Sequence, residues 1–104
     1  MGAVSVLAIF TTTDGNLDVV IEHLRAIENV VRAENGCIGY EIAVDLDNAS
    51  PTQAPLGAET FVVIEKWASL SDLKAHAASA HMARFSSATS DMITNKTVHI
   101  LKAF

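Results

Sequence analysis

Within 104 residues the spacing of apolar side chains switches from strand-like to helical and back, and does so twice. Val4 to Phe10 is dense in β-branched and aliphatic residues and runs out at Thr11-Thr12-Thr13-Asp14-Gly15, a strand followed by a turn. Thr13 or Asp14 offers an oxygen to cap the next element. From Leu17 the period lengthens: Val20, Ile21, Leu24, Ile27 and Val31 share one face, with Asp18, Glu22, Arg25, Asn29 and Arg32 opposite. This predicts one continuous helix, with Glu28 and Arg32 paired four apart and Asn35-Gly36 as its stop.

Ile38, Tyr40, Ile42, Val44 and Leu46 then alternate with Gly39, Glu41, Ala43 and Asp45, the pattern of a half-buried strand. Asp47 to Ala58 holds both prolines and reads as a surface loop, long for a hairpin connection. Phe61 to Trp67 is the third strand. Ser69 and Asp72 resemble a capping box, so a second helix is expected from about Leu70. Its stripe is Leu73, Ala77, Met82, Phe85, Thr89 and Met92, with a bend at Ala78-Ser79-Ala80. Asn95-Lys96 closes it, and Thr97 to Phe104 reads as the last strand.

The order β-α-β-β-α-β predicts an α+β, ferredoxin-like fold: a four-stranded antiparallel sheet with two helices on one face. The length suits a single domain over residues 1–104. Two helices cover only one face of such a sheet. Apolar residues are 50% of the chain, so the other face is expected to pack against a second copy.

Charge and composition exclude several classes. A formal net charge of −5 argues against a nucleic-acid partner. No run approaches the roughly 20 apolar residues of a membrane span, and the apolar start carries no basic leader region. The lone Cys37 can form no internal disulfide, which suits a reducing cytoplasm. A soluble cytoplasmic protein is expected.

Two stretches carry a family resemblance. Glu34-Asn35-Gly36-Cys37-Ile38-Gly39-Tyr40-Glu41 resembles the E-x-G-C-x-x-Y-E junction of the antibiotic biosynthesis monooxygenases. Glu65-Lys66-Trp67, together with Leu73, His76, His81 and Phe85, resembles a second segment of that family. The resemblance implies a dimeric α+β barrel in which two bare sheet faces meet. It also implies a range of activities: cofactor-independent oxidation of quinols and anthrones by O2, haem degradation or isomerisation of a phosphorylated sugar; the non-enzyme alternative is a ligand-binding or stress-response dimer. The fold is therefore better specified than the reaction.

Trp67 shares a strand face with Phe61, Val63 and Glu65, either as a core tryptophan or, as the resemblance implies, a pocket wall. His76 and His81 are candidate general bases, since imidazole near its ordinary pKa of about 6.5 abstracts protons at neutral pH. Five apart on a straight helix they would diverge by roughly 140°, so they converge only if the helix breaks. That spacing is not a helical zinc pair and no carboxylate is seen to complete a ligand set, so no metal is expected.

Glu65, inside an apolar strand, needs a partner, for which Arg84 and Arg25 are the candidates. Tyr40, Phe85 and Met92 are core residues or substrate contacts. His23 and His99 match nothing and are read as surface or barrel-lining residues, and Cys37 as a small buried hydrophobe.

The haem-degrading branch fits less well. Leu7 stands where that branch has an asparagine, and Phe85 where it has its iron-ligating histidine. The isomerase needs a phosphate site, for which only Arg25, Arg84 and Lys66 are at hand. The leading expectation is thus a homodimeric, cofactor-free monooxygenase of small quinols. His76 or His81 would act as base, and Trp67, Tyr40, Phe85, Glu65 and Met92 would contact the substrate.

Overall fold

The structure is a computed structural model that describes residues 2–104. The described residues form β1 (Val4–Thr12), α1 (Leu17–Arg25), α2 (Glu28–Arg32), β2 (Cys37–Ala43), β3 (Thr60–Trp67), α3 (Leu70–Ala77), α4 (Ala80–Thr89) and β4 (Ile93–Leu101). The strands make one antiparallel sheet in the order β2-β3-β1-β4. This is the expected α+β, ferredoxin-like arrangement. Among the described residues, no helix is long and apolar enough to cross a membrane.

Alternation along the strands decides which side chains meet the helices. Val4, Val6, Ala8 and Phe10 of β1 lie opposite Trp67, Glu65, Val63 and Phe61 of β3, and all are buried. Val20 and Leu24 of α1, Val31 of α2, Leu73 of α3 and Phe85 of α4 cover that face. Phe10 stacks on Phe61 at 4.9 Å between ring centroids and meets Phe85 edge-on at 6.3 Å. The opposite face, with Leu7, Ile9, Val62, Ile64 and Leu101, has no helix over it. Along the edge strand β4, Val98 and Ile100 are also about half exposed.

Several local expectations are corrected. The first helix is two segments, interrupted at Ala26-Ile27, although its apolar stripe is continuous and Arg32 does pair with Glu28 at 3.3 Å. Asn16, not Thr13 or Asp14, occupies the position before α1, and its side chain binds Thr13 instead of capping the helix. A β-bulge between Cys37 and Gly39 turns Ile38 out to solvent, while Tyr40 stays buried. β2 ends at Ala43, leaving Val44 and Leu46 exposed. The last helix stops at Thr89, so Met92 lies in the turn before β4, and Asn95-Lys96 are strand residues paired with Thr11 and Phe10.

The long loop is held by its own polar groups. The Asp45 carboxylate accepts the backbone N–H groups of Leu56 and Gly57 at 2.8 and 3.0 Å, which lowers its pKa. Gln53 donates to the Leu46 carbonyl at 2.9 Å.

Two further features fix the helical layer on the sheet. Ser69 caps α3 by accepting the Asp72 N–H at 3.1 Å, and its hydroxyl donates to the Asp72 carboxylate at 2.9 Å. That carboxylate lies directly against Gly36, whose φ is +76°. A Cβ at Gly36 would collide with Asp72 and would also be strained at that φ. Gly36→Ala should therefore lower stability by at least about 1–3 kcal/mol, measured by urea unfolding. Gly2→Ala, which meets open space, should leave the midpoint unchanged. Equal midpoints for the two variants would contradict this packing.

Candidate active site

The site is assembled by two breaks in regular structure. The first is the turn from Glu34 to Cys37, closed by the Cys37 N–H on the Glu34 carbonyl at 3.2 Å. Gly36 supplies the positive φ, and its carbonyl accepts the Ala68 N–H at 2.7 Å. The turn is thereby docked on the junction between β3 and α3, and Glu34 reaches α3.

The second break separates α3 from α4. Ser79 is extended (φ −70°, ψ 153°) and its hydroxyl donates to the His76 carbonyl at 2.7 Å. The same oxygen caps α4 by accepting the Met82 N–H at 3.4 Å. The helix restarts in a new direction, so His76 and His81 converge, with 6.4 Å between ring centroids.

Both imidazoles meet Glu34. Its Oε2 is 2.7 Å from His76 Nδ1, and its Oε1 is 3.4 Å from His81 Nε2. The expectation that no carboxylate joins the two histidines is thus overturned. Glu34 stands 42 residues from His76, and helical spacing is blind to that pairing. The one signal in the sequence is its place in the Glu34–Glu41 motif.

Below the histidines lies a buried polar pair on β3. Trp67 Nε1 donates to Glu65 Oε1 at 2.9 Å, and the indole packs on the His76 ring at 4.7 Å between centroids. Glu65 Oε1 is also 4.0 Å from His76 Nε2. Trp67, not Arg84 or Arg25, is therefore the partner of Glu65; both arginines are exposed. Burial raises the Glu65 pKa, and the Trp67 bond and nearby His76 and Lys96 offset this only in part. Burial, reinforced by the Glu65 charge, raises the Tyr40 pKa so far that its hydroxyl stays protonated as a donor. Burial likewise pushes the Cys37 thiol up, away from nucleophilic character.

These groups converge on a cavity of about 150 Å³ between sheet and helices. Tyr40, Glu65, His76, Ser86 and Lys96 supply its polar groups, and Phe10, Met82 and Val98 part of its apolar wall. A volume on the order of 150 Å³ holds a single aromatic ring. Of the other anticipated residues, Trp67 backs His76 without reaching the wall, and His81 stands beside Glu34. Phe85 supports Phe10, and Met92 packs at the end of the core outside the cavity. His23 and His99 are exposed, His99 on the open sheet face. A larger cleft of about 520 Å³ near the start of β1 brings together no acid, histidine or aromatic ring.

The helix layer of a ferredoxin-like sheet thus flanks a small cavity lined by imidazole, carboxyl, phenol and ammonium groups. The antibiotic biosynthesis monooxygenase profile matches residues 3–88, and the chain belongs to that family. An Escherichia coli K12 protein named "Probable quinol monooxygenase YgiN" is 30% identical over 83 residues, 80% of this chain and 79% of that protein. The same fold is found in PA3566 from Pseudomonas aeruginosa, with a TM-score of 0.82 at 24% identity, covering 100% of this chain and 96% of that one. Rv0793 from Mycobacterium tuberculosis aligns with a TM-score of 0.80 at 22% identity, covering 98% and 95%.

Trp67 provides the bond that compensates Glu65 for burial. Trp67→Phe removes that donor, and the orphaned carboxyl should cost about 1–3 kcal/mol, with the smaller ring adding to the loss. Urea unfolding reads this directly; a change below about 0.5 kcal/mol would show that the pair does not support the fold.

Proposed function

We propose that this chain is a cofactor-independent monooxygenase that oxidises a small aromatic quinol with O2, and that it works as a cytoplasmic homodimer. The single observation that carries the reading is the pairing of His76 with Glu34 beside a ring-sized cavity. The kinship with a protein named for quinol oxidation supports it.

Glu34 accepts the proton on His76 Nδ1, which leaves the lone pair of Nε2 facing inward as a base. A quinol hydroxyl in the cavity gives its proton to Nε2. The resulting quinolate is electron-rich enough to pass an electron to O2 itself. Recombination at a ring carbon and loss of water then convert quinol and O2 into a hydroxyquinone and water. The substrate supplies all four electrons, so no redox group is needed. The Tyr40 hydroxyl donates to the second substrate oxygen, and Phe10, Met82 and Val98 keep the ring out of water. His81 shares Glu34 with His76 and so tunes how firmly that carboxylate holds the base. Haem degradation is less well supported: Leu7 faces the open side of the sheet and Phe85 is packed against Phe10.

Dimerisation is supported by the uncovered apolar face that includes Ile64 and Leu101.

Oxygen uptake against a panel of quinols and anthrones, with quinone formation followed spectrally, tests the proposal. Uptake above autoxidation is expected, with kcat/KM falling about 10²–10⁴-fold in His76→Ala and further in the His76→Ala/His81→Ala double variant. Sedimentation at micromolar concentration should show a dimer. Turnover that survives the double change would overturn the base assignment, and a monomer would overturn the sheet-to-sheet packing.

A further inference from the structure

The same break that delivers His76 to the cavity leaves its other ring nitrogen in a different kind of cluster. One ligand atom from each of Glu34, His76 and His81 lies within 4.8 Å of the other two. We propose that these three side chains form a binding site for a divalent zinc-like transition ion, and that its occupation switches off the base at His76.

The donor set is two imidazoles and one carboxylate, which suits zinc and its neighbours and leaves room for water or an exogenous ligand. Around a tetrahedral zinc with bonds of about 2.0–2.1 Å, ligand atoms sit about 3.3 Å apart. In the metal-free cluster Glu34 Oε2 is 2.7 Å from His76 Nδ1 and Oε1 is 3.4 Å from His81 Nε2, and one ligand atom from each residue lies within 4.8 Å of the other two, so small side-chain rotations draw the three atoms around an ion. All three side chains are largely shielded, with side-chain exposures of 18%, 5% and 13% for Glu34, His76 and His81. They retain enough opening for an ion to enter.

The surroundings also fit. Ser79 Oγ donates to the His76 carbonyl, so the N–H on His81 Nε2 is shared between Ser79 Oγ at 3.1 Å and Glu34 Oε1 at 3.4 Å. Without metal, both imidazoles thus turn an N–H toward one carboxylate, and a dication takes the place of those two protons. A metal-bound histidine characteristically gives its remaining N–H to a second carboxylate. Glu65 stands on that side of His76, 4.0 Å from Nε2, held by Trp67.

The consequence for catalysis rests on the oxygenase reading. Once Nδ1 binds metal, the ring proton resides on Nε2, and the lone pair that would accept the quinol proton is gone. Metal binding itself does not depend on that reading.

Titration of tag-free, chelator-treated protein with Co2+, followed by its visible d–d bands, and with Zn2+ by calorimetry, tests the site. One ion per chain is expected. Glu34→Gln and His81→Ala should each weaken binding at least tenfold, and Glu65→Gln about tenfold. His99→Ala should bind as the parent does. Circular dichroism checks that each variant is folded, and Glu34→Gln preserves side-chain shape where His81→Ala removes a ring. Absence of stoichiometric binding, or parental affinity in both Glu34→Gln and His81→Ala, would overturn the site. In the oxygen-uptake assay Zn2+ should suppress turnover with the same midpoint as binding. Full turnover at saturating Zn2+ would overturn the switch while leaving the site intact.

Discussion

The contact between Glu34 and His76 joins the two βα halves of the chain, and most of the site depends on it. Glu34 belongs to the turn that leads into β2, and His76 to the helix after β3. The turn is fixed by the Ala68 N–H on the Gly36 carbonyl and by the close fit of Gly36 against the Asp72 carboxylate. Asp72 in turn completes the cap of α3. A tight turn, a helix cap and a charged hydrogen bond therefore share a few residues, and disturbing any one moves the His76 ring.

Polarity in this core is concentrated and paired. Glu65 and Trp67 sit among Val4, Val6, Phe61 and Val63, where an unpartnered carboxyl would be costly. The indole N–H satisfies it and carries the His76 ring on its face. The result is a rigid platform beneath an imidazole whose two nitrogens have different neighbours: Glu34 on one side, Glu65 and the cavity on the other. The proposed base and metal-ligand roles of this one histidine both rest on that asymmetry, and each excludes the other.

Strand and helix order are legible in the sequence because burial imposes periods of two and 3.6 over whole elements. The face shared by Phe61, Val63, Glu65 and Trp67 comes directly from alternation. The break at Ala78-Ser79-Ala80 is also readable, since a serine that can cap sits amid small residues. Three things are not readable. Glu34 meets His76 through a turn and a sheet register, and neither leaves a local period. The bulge at Ile38 reverses the alternation for one residue and hides it in an otherwise regular pattern. Met92 continues the helical stripe only because a turn after Thr89 happens to return it to the same side of the core. Glu65 does need a partner, as its apolar strand implies, but the indole two residues away satisfies it in place of any arginine.

The central claim is that Glu34 fixes the tautomer of His76, proton on Nδ1 and lone pair on Nε2. Long-range proton–nitrogen correlation NMR of histidine-labelled protein, at a pH where the ring is neutral, reads this tautomer directly. The predicted result is the Nδ1–H form for His76 in the parent protein and loss of that preference in Glu34→Gln. An Nε2–H tautomer in the metal-free parent would contradict it, because the nitrogen facing the cavity would then have no lone pair to offer.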